Sequence, residues 1–371
     1  MSAILDFLAP QGNIEFTYLI HLLSLNLMGD YQHVEVISGC GAPGKRTIST
    51  ATLLLTKRCG GPTMRSLSAL GCILAVVFVC TISVYSQDMF PARRLTSDST
   101  RDGFPSWSPD GKTIIHSFYN RVDGKELHGS RMVPSDGGTP ATFTEYPTEH
   151  PQWSPDGHSI VFDADTGSAI KMVDAKGGDP ITFLPDSIRI HNGGLPCWSP
   201  DGSRIVFKDG TTGSLFVHDT KAGSTTRTFQ QEGMVVLPGC WSPDGKSLLF
   251  SIMNRETRLS TMWRISPDGR ERRQISGHHE KFYRYIALSP DGALLIYGAM
   301  EGRRMGLWIM PAEGGKSLPL AVTPNDHNEA PAWSPDGTRI AFSSSRTGRG
   351  DIYIMDVDVN KVERDLGLLN R

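Results

Sequence analysis

The sequence predicts an all-β protein, a six-bladed β-propeller of four-stranded antiparallel blades. The first observation is a five-residue motif, Trp-Ser-Pro-Asp-Gly, which occurs six times with Leu replacing Trp in one copy. The copies start 43 to 47 residues apart, and this is the length of a four-stranded propeller blade. The second observation is a content of 39 Gly and 24 Pro, which suits short strands joined by tight turns. The copies lie at residues 107–111, 153–157, 198–202, 241–245, 288–292 and 333–337.

Each part of the repeat has a role in one blade. The Trp or Leu ends the innermost strand, and Ser-Pro-Asp-Gly has the residue types of a tight turn. A β-branched and aromatic run such as Ile160-Val161-Phe162 follows as the second strand. A third strand and a Gly-rich hairpin then lead to the outer strand. Six blades around an axis bury both faces of every blade; a seven-bladed ring is the alternative, although we identify no seventh copy.

The repeats place the propeller at residues 98–371, with residues 87–97 as a linker and candidate closing strand. One segment must supply the outer strand of the last blade and thereby join it to the first. Two segments compete for this place, residues 93–96 and residues 362–366. The second continues directly from the preceding hairpin, so the sequence slightly favours residues 362–366.

Residues 64–86 have the pattern of an export signal. Arg65 precedes a stretch without charge at residues 67–84, and Val84-Tyr85-Ser86 fits a cleavage site before Gln87. We therefore expect a periplasmic or secreted protein. The alternative is a membrane anchor at residues 67–84, which are just long enough to span a bilayer. Residues 1–63 are expected to be a non-globular extension, or to precede a true translation start at Met64.

Composition and charge argue against several classes of partner and site. The formal net charge is −2 with acids and bases interspersed, so no nucleic-acid partner is expected. Membrane contact is expected only through the N-terminal segment, if it is not cleaved. Cys197 and Cys240 directly precede the motif Trp in adjacent blades. Most equivalent positions hold small residues, so close approach of the sheets explains these cysteines better than a disulfide.

The repeat resembles that of a known family. The Trp-Ser-Pro-Asp-Gly motif, the loop at residues 343–346 and the strand at residues 351–355 are similar to the propeller repeats of the periplasmic Tol-system protein TolB. Similar repeats occur in prolyl-oligopeptidase-type peptidases. The resemblance implies a propeller fold, but it does not imply one function, because the same repeat serves many unrelated proteins.

The sequence gives little support for catalysis. A peptidase would need a hydrolase domain and a Gly-x-Ser-x-Gly turn that exposes the nucleophile, and neither follows the last repeat. The motif aspartates recur at equal spacing on separate blades, which indicates turn residues rather than catalytic carboxylates. We expect no catalytic residue and no cofactor.

A ligand site is expected on the face opposite the motif turns. The loops that approach the inner strands differ in every blade, and variation among equivalent loops can build an asymmetric binding surface. Alternatively, these loops vary because nothing restrains them. Polar and aromatic groups that converge on a concave mouth suit a peptide or a sugar. The predicted ligand-binding residues are His150, His191, Arg284, Tyr285, His327 and Glu329.

The expected function is that of a monomeric binding or scaffold module for a protein, peptide or glycan of the cell envelope. A divalent metal held by loop histidines, with His278, His279 and carboxylates such as Glu149, is the alternative. Oligogalacturonate lyases are similar in placing metal-binding histidines within a propeller. That resemblance implies a lyase or glycan hydrolase, with a metal or carboxylates at the channel mouth, as the alternative function.

Overall fold

The computed structural model describes residues 88–122, 124–164, 168–182, 184, 188, 190, 194–275, 283–323 and 325–369, and the backbone of two earlier strands. Those strands, β1 (His33–Ile37) and β2 (Thr52–Thr56), pair antiparallel within the first unit of the chain, Met1–Val84. The second unit, Tyr85–Arg371, contains the propeller. The export-signal segment lies outside the described residues.

The described strands of the second unit form six four-stranded antiparallel sheets, which confirms the predicted six-bladed propeller. The chain enters through β3 (Ala92–Arg94). Blade 1 contains β4 (Arg101–Trp107), β5 (Thr113–Val122), β6 (Lys125–Pro134) and β7 (Ala141–Thr144). Blade 2 contains β8 (Thr148–Trp153), β9 (Ser159–Ala164), β10 (Ala169–Asp174) and β11 (Ile181–Thr182). Blade 3 contains β12 (Cys197–Trp198), β13 (Arg204–Asp209), β14 (Ser214–Asp219) and β15 (Ser224–Gln230).

The remaining blades follow the same order from the channel outward. Blade 4 contains β16 (Met234–Trp241), β17 (Leu248–Asn254), β18 (Ser260–Ile265) and β19 (Arg272–Gln274). Blade 5 contains β20 (Tyr283–Leu288), β21 (Leu294–Glu301), β22 (Arg304–Pro311) and β23 (Leu318–Ala321). Blade 6 contains β24 (Asn328–Trp333), β25 (Arg339–Ser344) and β26 (Asp351–Asp356), and its outer strand is β3.

The apolar core lies between the blades. Phe162, Phe207, Phe250 and Phe342 occupy equivalent places in the second strands of four blades and are fully buried. Phe250 of blade 4, for example, packs in one cluster with Leu215 of blade 3. The second strands are apolar along most of their length because a neighbouring blade covers each of their faces.

The motif tryptophans connect neighbouring blades. The indole N–H of Trp107 donates to the carbonyl of Ala332 in blade 6 (3.1 Å), and that of Trp241 donates to the carbonyl of Cys197 in blade 3 (3.2 Å). Cys197 and Cys240 are free thiols, as the sequence predicts.

The motif turns close a small network of hydrogen bonds within each blade. In the first turn, the Ser108 hydroxyl donates to Asp110 Oδ1 (2.6 Å), and the backbone N–H of Lys112 donates to the same oxygen (3.1 Å). The Thr113 N–H donates to the Ser108 hydroxyl (3.0 Å), and Gly111 has φ of 69°. These hydrogen bonds lower the pKa of Asp110 because they stabilise its charged form.

A seventh turn of the same kind is present at residues 266–269. The Ser266 hydroxyl donates to Asp268 Oδ1 (2.6 Å), and Gly269 has φ of 77°. This turn joins β18 to β19 in blade 4, so it adds an outer hairpin rather than a blade. The sequence prediction of six copies omitted it, because Ile265 stands where the other copies have Trp or Leu.

The N-terminal segment closes the ring. β3 pairs antiparallel with β26, and Leu95 N–H donates to the carbonyl of Ile352 (2.7 Å). The N–H of Ile352 in turn donates to the Thr96 hydroxyl (3.0 Å). Arg94 forms an ion pair with the buried Asp351 (2.9 Å). The last blade is therefore tied to residues that directly precede the first blade.

The expectation that residues 362–366 form the closing strand is wrong. This segment belongs to a helix, α1 (Val359–Leu366). Asp358 caps the helix by accepting from the N–H of Lys361 (2.9 Å), and Gly367 ends it with φ of 81°. Val362 and Leu366 are four residues apart, lie on one helical face and are buried against blades 5 and 6.

Candidate functional site

The inner strands carry a strained backbone at one equivalent position. Three residues before the motif Trp or Leu, five of the six blades have a non-glycine residue with positive φ. Such residues are uncommon, and each costs about 1–3 kcal/mol. The sixth blade has Pro238 at this place, followed by Gly239. The five residues are Phe104 (55°), His150 (51°), Leu195 (48°), Tyr285 (52°) and Ala330 (51°).

These strained positions line the central channel. Together with the inner-strand residues that follow them, they surround a space of about 330 Å³. Register shifts in the pairing of the inner and second strands place a β-bulge beside the strained residue in several blades, as between Glu149 and Gln152. The bulge interrupts the regular ladder, which resumes at Gln152, and the strained residues line the channel.

Three of these side chains, from blades 1, 2 and 5, meet in the channel. The ring centroids of Phe104 and His150 are 4.0 Å apart, and those of Phe104 and Tyr285 are 5.7 Å apart. The guanidinium of Arg284 lies over the Tyr285 ring at 4.6 Å. Phe104 is half-buried and lies at the centre of this aromatic cluster.

A buried carboxylate fixes the orientation of His150. Its Nδ1 lies 2.8 Å from Asp163 Oδ2, and the Asp163 side chain has no exposure. A carboxylate accepts hydrogen bonds, so this contact places a proton on Nδ1. Asp163 Oδ1 also accepts from the N–H groups of Gly194 (2.7 Å) and Leu195 (3.1 Å). Asp163 thus holds both His150 and the approach to blade 3.

A larger cavity, here called the mouth pocket, opens beside the aromatic cluster. It encloses about 780 Å³ and is lined by residues 101–104, 117–119, 128, 148–149, 327, 329, 343–345 and 348–350. Blades 1, 2 and 6 all contribute to it. Phe104 lines both this pocket and the channel, so the two spaces adjoin.

Charged residues from several blades influence the pKa of Tyr285. Burial raises the pKa of Tyr285 well above its usual value. Arg284 and Arg101 oppose this increase, whereas Glu329 and Glu149 add to it. Tyr285 therefore lies within electrostatic reach of charged residues that line the mouth pocket.

Two further buried groups lie on the loop face. Lys208 in β13 is 5% exposed, and burial lowers its pKa while the Asp163 carboxylate opposes that shift. Asp102 lines the mouth pocket, and its Oδ1 accepts from the Thr100 hydroxyl (2.7 Å). Burial raises the pKa of Asp102, and burial lowers the pKa of the neighbouring His116, whose Nδ1 is 3.8 Å from Asp102 Oδ1.

The six sequence-predicted residues divide between these two spaces. His327 and Glu329 line the mouth pocket, and His150 and Tyr285 line the channel, with Arg284 over the Tyr285 ring. His327 Nδ1 accepts from the N–H of Met305 (3.3 Å), so this nitrogen is engaged in holding β22. His191, and also His278 and His279, lie outside the described residues.

Among the described residues, no group of three or more His, Cys, Asp or Glu side chains is arranged to hold a metal ion. In the same part of the chain, no helix is long and apolar enough to cross a membrane.

The sequence prediction did not include Phe104, Asp102 or Asp163 in the site. Asp163 interrupts the apolar run that begins at Ile160, and a carboxylate inside a buried strand is a signal of a specific partner. Phe104 directly precedes a proline in the sequence. The residues at the same place in three other blades also precede a proline, in His150-Pro151, Leu195-Pro196 and Ala330-Pro331.

Comparisons with known proteins agree with this architecture. TolB from Acinetobacter baumannii is 18% identical, with a TM-score of 0.51 over 83% of this chain and 73% of that one. Oligogalacturonate lyase from Vibrio parahaemolyticus is 12% identical, with a TM-score of 0.53 over 74% of this chain and 96% of that one. At these identities the likeness concerns the fold alone.

Sequence relatives cover shorter stretches. An uncharacterized protein of Agrobacterium fabrum is 36% identical over 76 residues, which is 20% of this chain and 26% of that protein. An uncharacterized peptidase of Bacillus subtilis is 27% identical over 96 residues, 25% of this chain and 14% of the peptidase. This chain therefore matches only about a quarter or less of these relatives' lengths. The family model of the TolB beta propeller domain matches residues 140–326, half of the chain. The chain belongs to the TolB beta propeller domain family.

Proposed function

We propose that this propeller is an exported binding module that takes a peptide or a glycan, free or as part of an envelope protein, at the mouth of its channel. The observation that carries the proposal is the mouth pocket. Its volume of about 780 Å³ lies within the range of ligand sites, roughly 300–1,000 Å³. Three blades contribute charged, hydroxyl and aromatic side chains to it, which suits recognition of a polar ligand.

Unpaired charges in the pocket support a binding role. Arg101, Glu149, Glu329 and Arg349 line it, and none of the four forms an ion pair with another described residue. Elsewhere Arg346, by contrast, forms a two-pronged ion pair with Asp88 (2.5 and 2.6 Å). Charged groups that face a cavity without an internal partner are available to an incoming ligand.

The location and assembly of the protein are part of the proposal. The export-signal pattern at residues 64–86 supports a periplasmic or secreted protein, with an anchor at residues 67–84 as the alternative. We propose a monomer that meets its partner in the cell envelope. N-terminal sequencing of the mature protein tests export: a chain that begins at Gln87 is the expected result, and residues upstream of Met64 would contradict it.

A lyase or a glycan hydrolase is the second candidate. It is favoured by the fold likeness to oligogalacturonate lyase and by the titratable groups His150, Asp163 and Lys208 near the channel. Metal analysis of the purified protein, together with turnover of oligosaccharides with and without added divalent metal, tests it. Bound metal or metal-dependent turnover would favour the enzyme over the binding module.

The binding role is tested by screening peptides and glycans and then comparing variants of the two faces. Glu329→Ala and Tyr285→Ala should each weaken binding at least tenfold while the melting temperature changes little. The remaining predicted site residues, His150, His191, Arg284 and His327, are replaced in the same way. Lys246→Ala, an exposed change in a motif turn of the opposite face, is the control. Loss of binding only in Lys246→Ala would show that the ligand binds the face of the motif turns, which would contradict a site at the mouth.

A further inference from the structure

The residue four positions before the motif Trp differs between blade 1 and its two neighbours in whether it carries a side chain. In blade 1 this residue is Gly103, and in the blades on either side it is Glu329 and Glu149. All three line the mouth pocket. Blade 1 therefore contributes no side chain at this position, and two carboxylates from blades 6 and 2 flank the gap.

The gap over Gly103 is open. A Cβ atom added to Gly103 would meet only Ser343 Oγ within 4 Å, at 3.7 Å, which is an ordinary van der Waals contact. Its φ is not in the positive region, so the backbone does not require glycine there. The effect of the missing side chain is thus to leave room in the pocket. The adjacent Phe104 ring borders the same space.

Two cationic side chains also line the pocket. Arg101 and Arg349 both line it, and a Cβ added to Gly350 would lie 3.1 Å from Arg101 Cγ, which places the Arg101 side chain beside the loop that carries Arg349. The N–H of Asp102 donates to the carbonyl of Gly350 (2.7 Å), so strand and loop are held together. Two guanidinium groups in one pocket suit a carboxylate ligand.

Two buried polar groups stand behind the wall of the pocket. Asp102 is 2% exposed, and its Oδ1 accepts from the Thr100 hydroxyl (2.7 Å). Asp102 Oδ2 and Ser117 Oγ are enclosed by the protein, so a ligand in the pocket does not contact them. The ligand assignment therefore depends on the charged side chains that line the pocket.

We propose that the mouth pocket binds short peptides by a free α-amino group held between Glu149 and Glu329, with a carboxylate of the same peptide on Arg101 and Arg349. This rests on the proposed binding function of the mouth pocket. A neutral glycan would leave both pairs of charges without a counter-charge, whereas a peptide with two free ends supplies both. The Phe104 ring offers an apolar and aromatic surface to the cation and to the first side chain.

The test uses the full chain immobilised on a resin and a mixture of randomised tetrapeptides with free ends. The same mixture in N-acetylated form, the same mixture in C-amidated form, and a mixture of neutral oligosaccharides are applied in parallel. Retained molecules are quantified by mass spectrometry. Loss of one charge-assisted contact should lower retention roughly tenfold to a hundredfold. The acetylated and the amidated mixtures should therefore each be retained less than the mixture with free ends by about that factor.

Variants connect the result to the pocket. The double variant Glu149→Gln with Glu329→Gln should retain free and acetylated peptides equally, whereas Glu271→Gln on the opposite face should behave like the unaltered chain. Gly103→Leu fills the gap and should abolish retention, with its melting temperature measured to show that the ring still folds. Equal retention of acetylated and free peptides by the unaltered chain would overturn the proposal.

The outcomes separate this inference from the proposed function. If oligosaccharides alone are retained, and Glu329→Ala abolishes their retention, the mouth is a binding site but the peptide assignment is wrong. If nothing is retained, or if retention is insensitive to every mouth variant, both the inference and the proposed function are wrong.

Discussion

The hydrogen bond between Thr96 and Ile352 allows a direct test of ring closure. The Thr96 hydroxyl accepts from the Ile352 N–H at 3.0 Å, and both residues are fully buried. Thr96→Val keeps the shape of the side chain but removes the acceptor and leaves a buried N–H without a partner. Such a loss costs about 1–3 kcal/mol, a substantial part of a domain stability of about 5–15 kcal/mol.

Thermal and urea unfolding measure the effect. For a domain of this size, about 1–3 kcal/mol should lower the melting temperature by roughly 2–5 °C. Thr226→Val, an exposed change on the outer strand of blade 3, is the matched control and should change the melting temperature little. If both variants unfold alike, the N-terminal segment does not close the ring, and deleting residues 359–371 should then be the more damaging change.

Three further predictions concern the blade contacts, the thiols and the motif turns. Trp107→Phe should cost about 1 kcal/mol more in urea unfolding than Trp153→Phe because, of these two indoles, that of Trp107 has an acceptor in the described structure and that of Trp153 has none. Equal costs would contradict this reasoning. Burial raises the pKa of Cys197 to about 11 and that of Cys240 further, so both thiols should react with a disulfide reagent at pH 8 much more slowly in the native than in the unfolded protein. The turn aspartates, such as Asp110, have a folded pKa below the unfolded value of about 3.9. Their contribution to stability is present above about pH 4 and is lost as the pH falls further, so the urea midpoint should be lower at pH 3 than at pH 6; a rise would refute the assignment.

The local parts of the fold could be predicted from the sequence because their causes are local. A motif turn completes its hydrogen bonds between Ser108 and Thr113, so the residue types alone indicate the structure. The blade length follows from the spacing of such turns. The turn at residue 268 shows the limit of this reasoning, because the same chemistry also serves an outer hairpin within a blade.

Ring closure could not be decided locally. Residues 93–96 and 362–366 both have strand-forming residues, and the choice depends on a contact across more than 250 positions, between Thr96 and Ile352. The capping residues Asp358 and Gly367 were nevertheless visible, and with Val362 and Leu366 four apart they indicate a helix. Proximity along the chain was the wrong criterion.

The candidate site could be predicted only as a face and a set of loops. Glu329, Tyr285 and His150 line the mouth pocket or the channel, but the Asp163 carboxylate that orients His150 comes from the second strand of its blade. That pairing depends on the register of β8 and β9. The role of Gly103 depends on its neighbours in other blades, and a single repeat does not reveal it.

The strained ring at the channel explains how one scaffold can present different groups. Five blades adopt positive φ at the same place, yet the side chains there range from Ala330 to Phe104 and Tyr285. Because the conformation recurs with such different side chains, the path of the strand imposes it, with a bulge beside it in four of these five blades, and no single side chain does. Each strained residue costs about 1–3 kcal/mol, which the cores between blades must offset. A substitution at this position is therefore expected to change the group presented to the channel while the backbone that presents it stays the same.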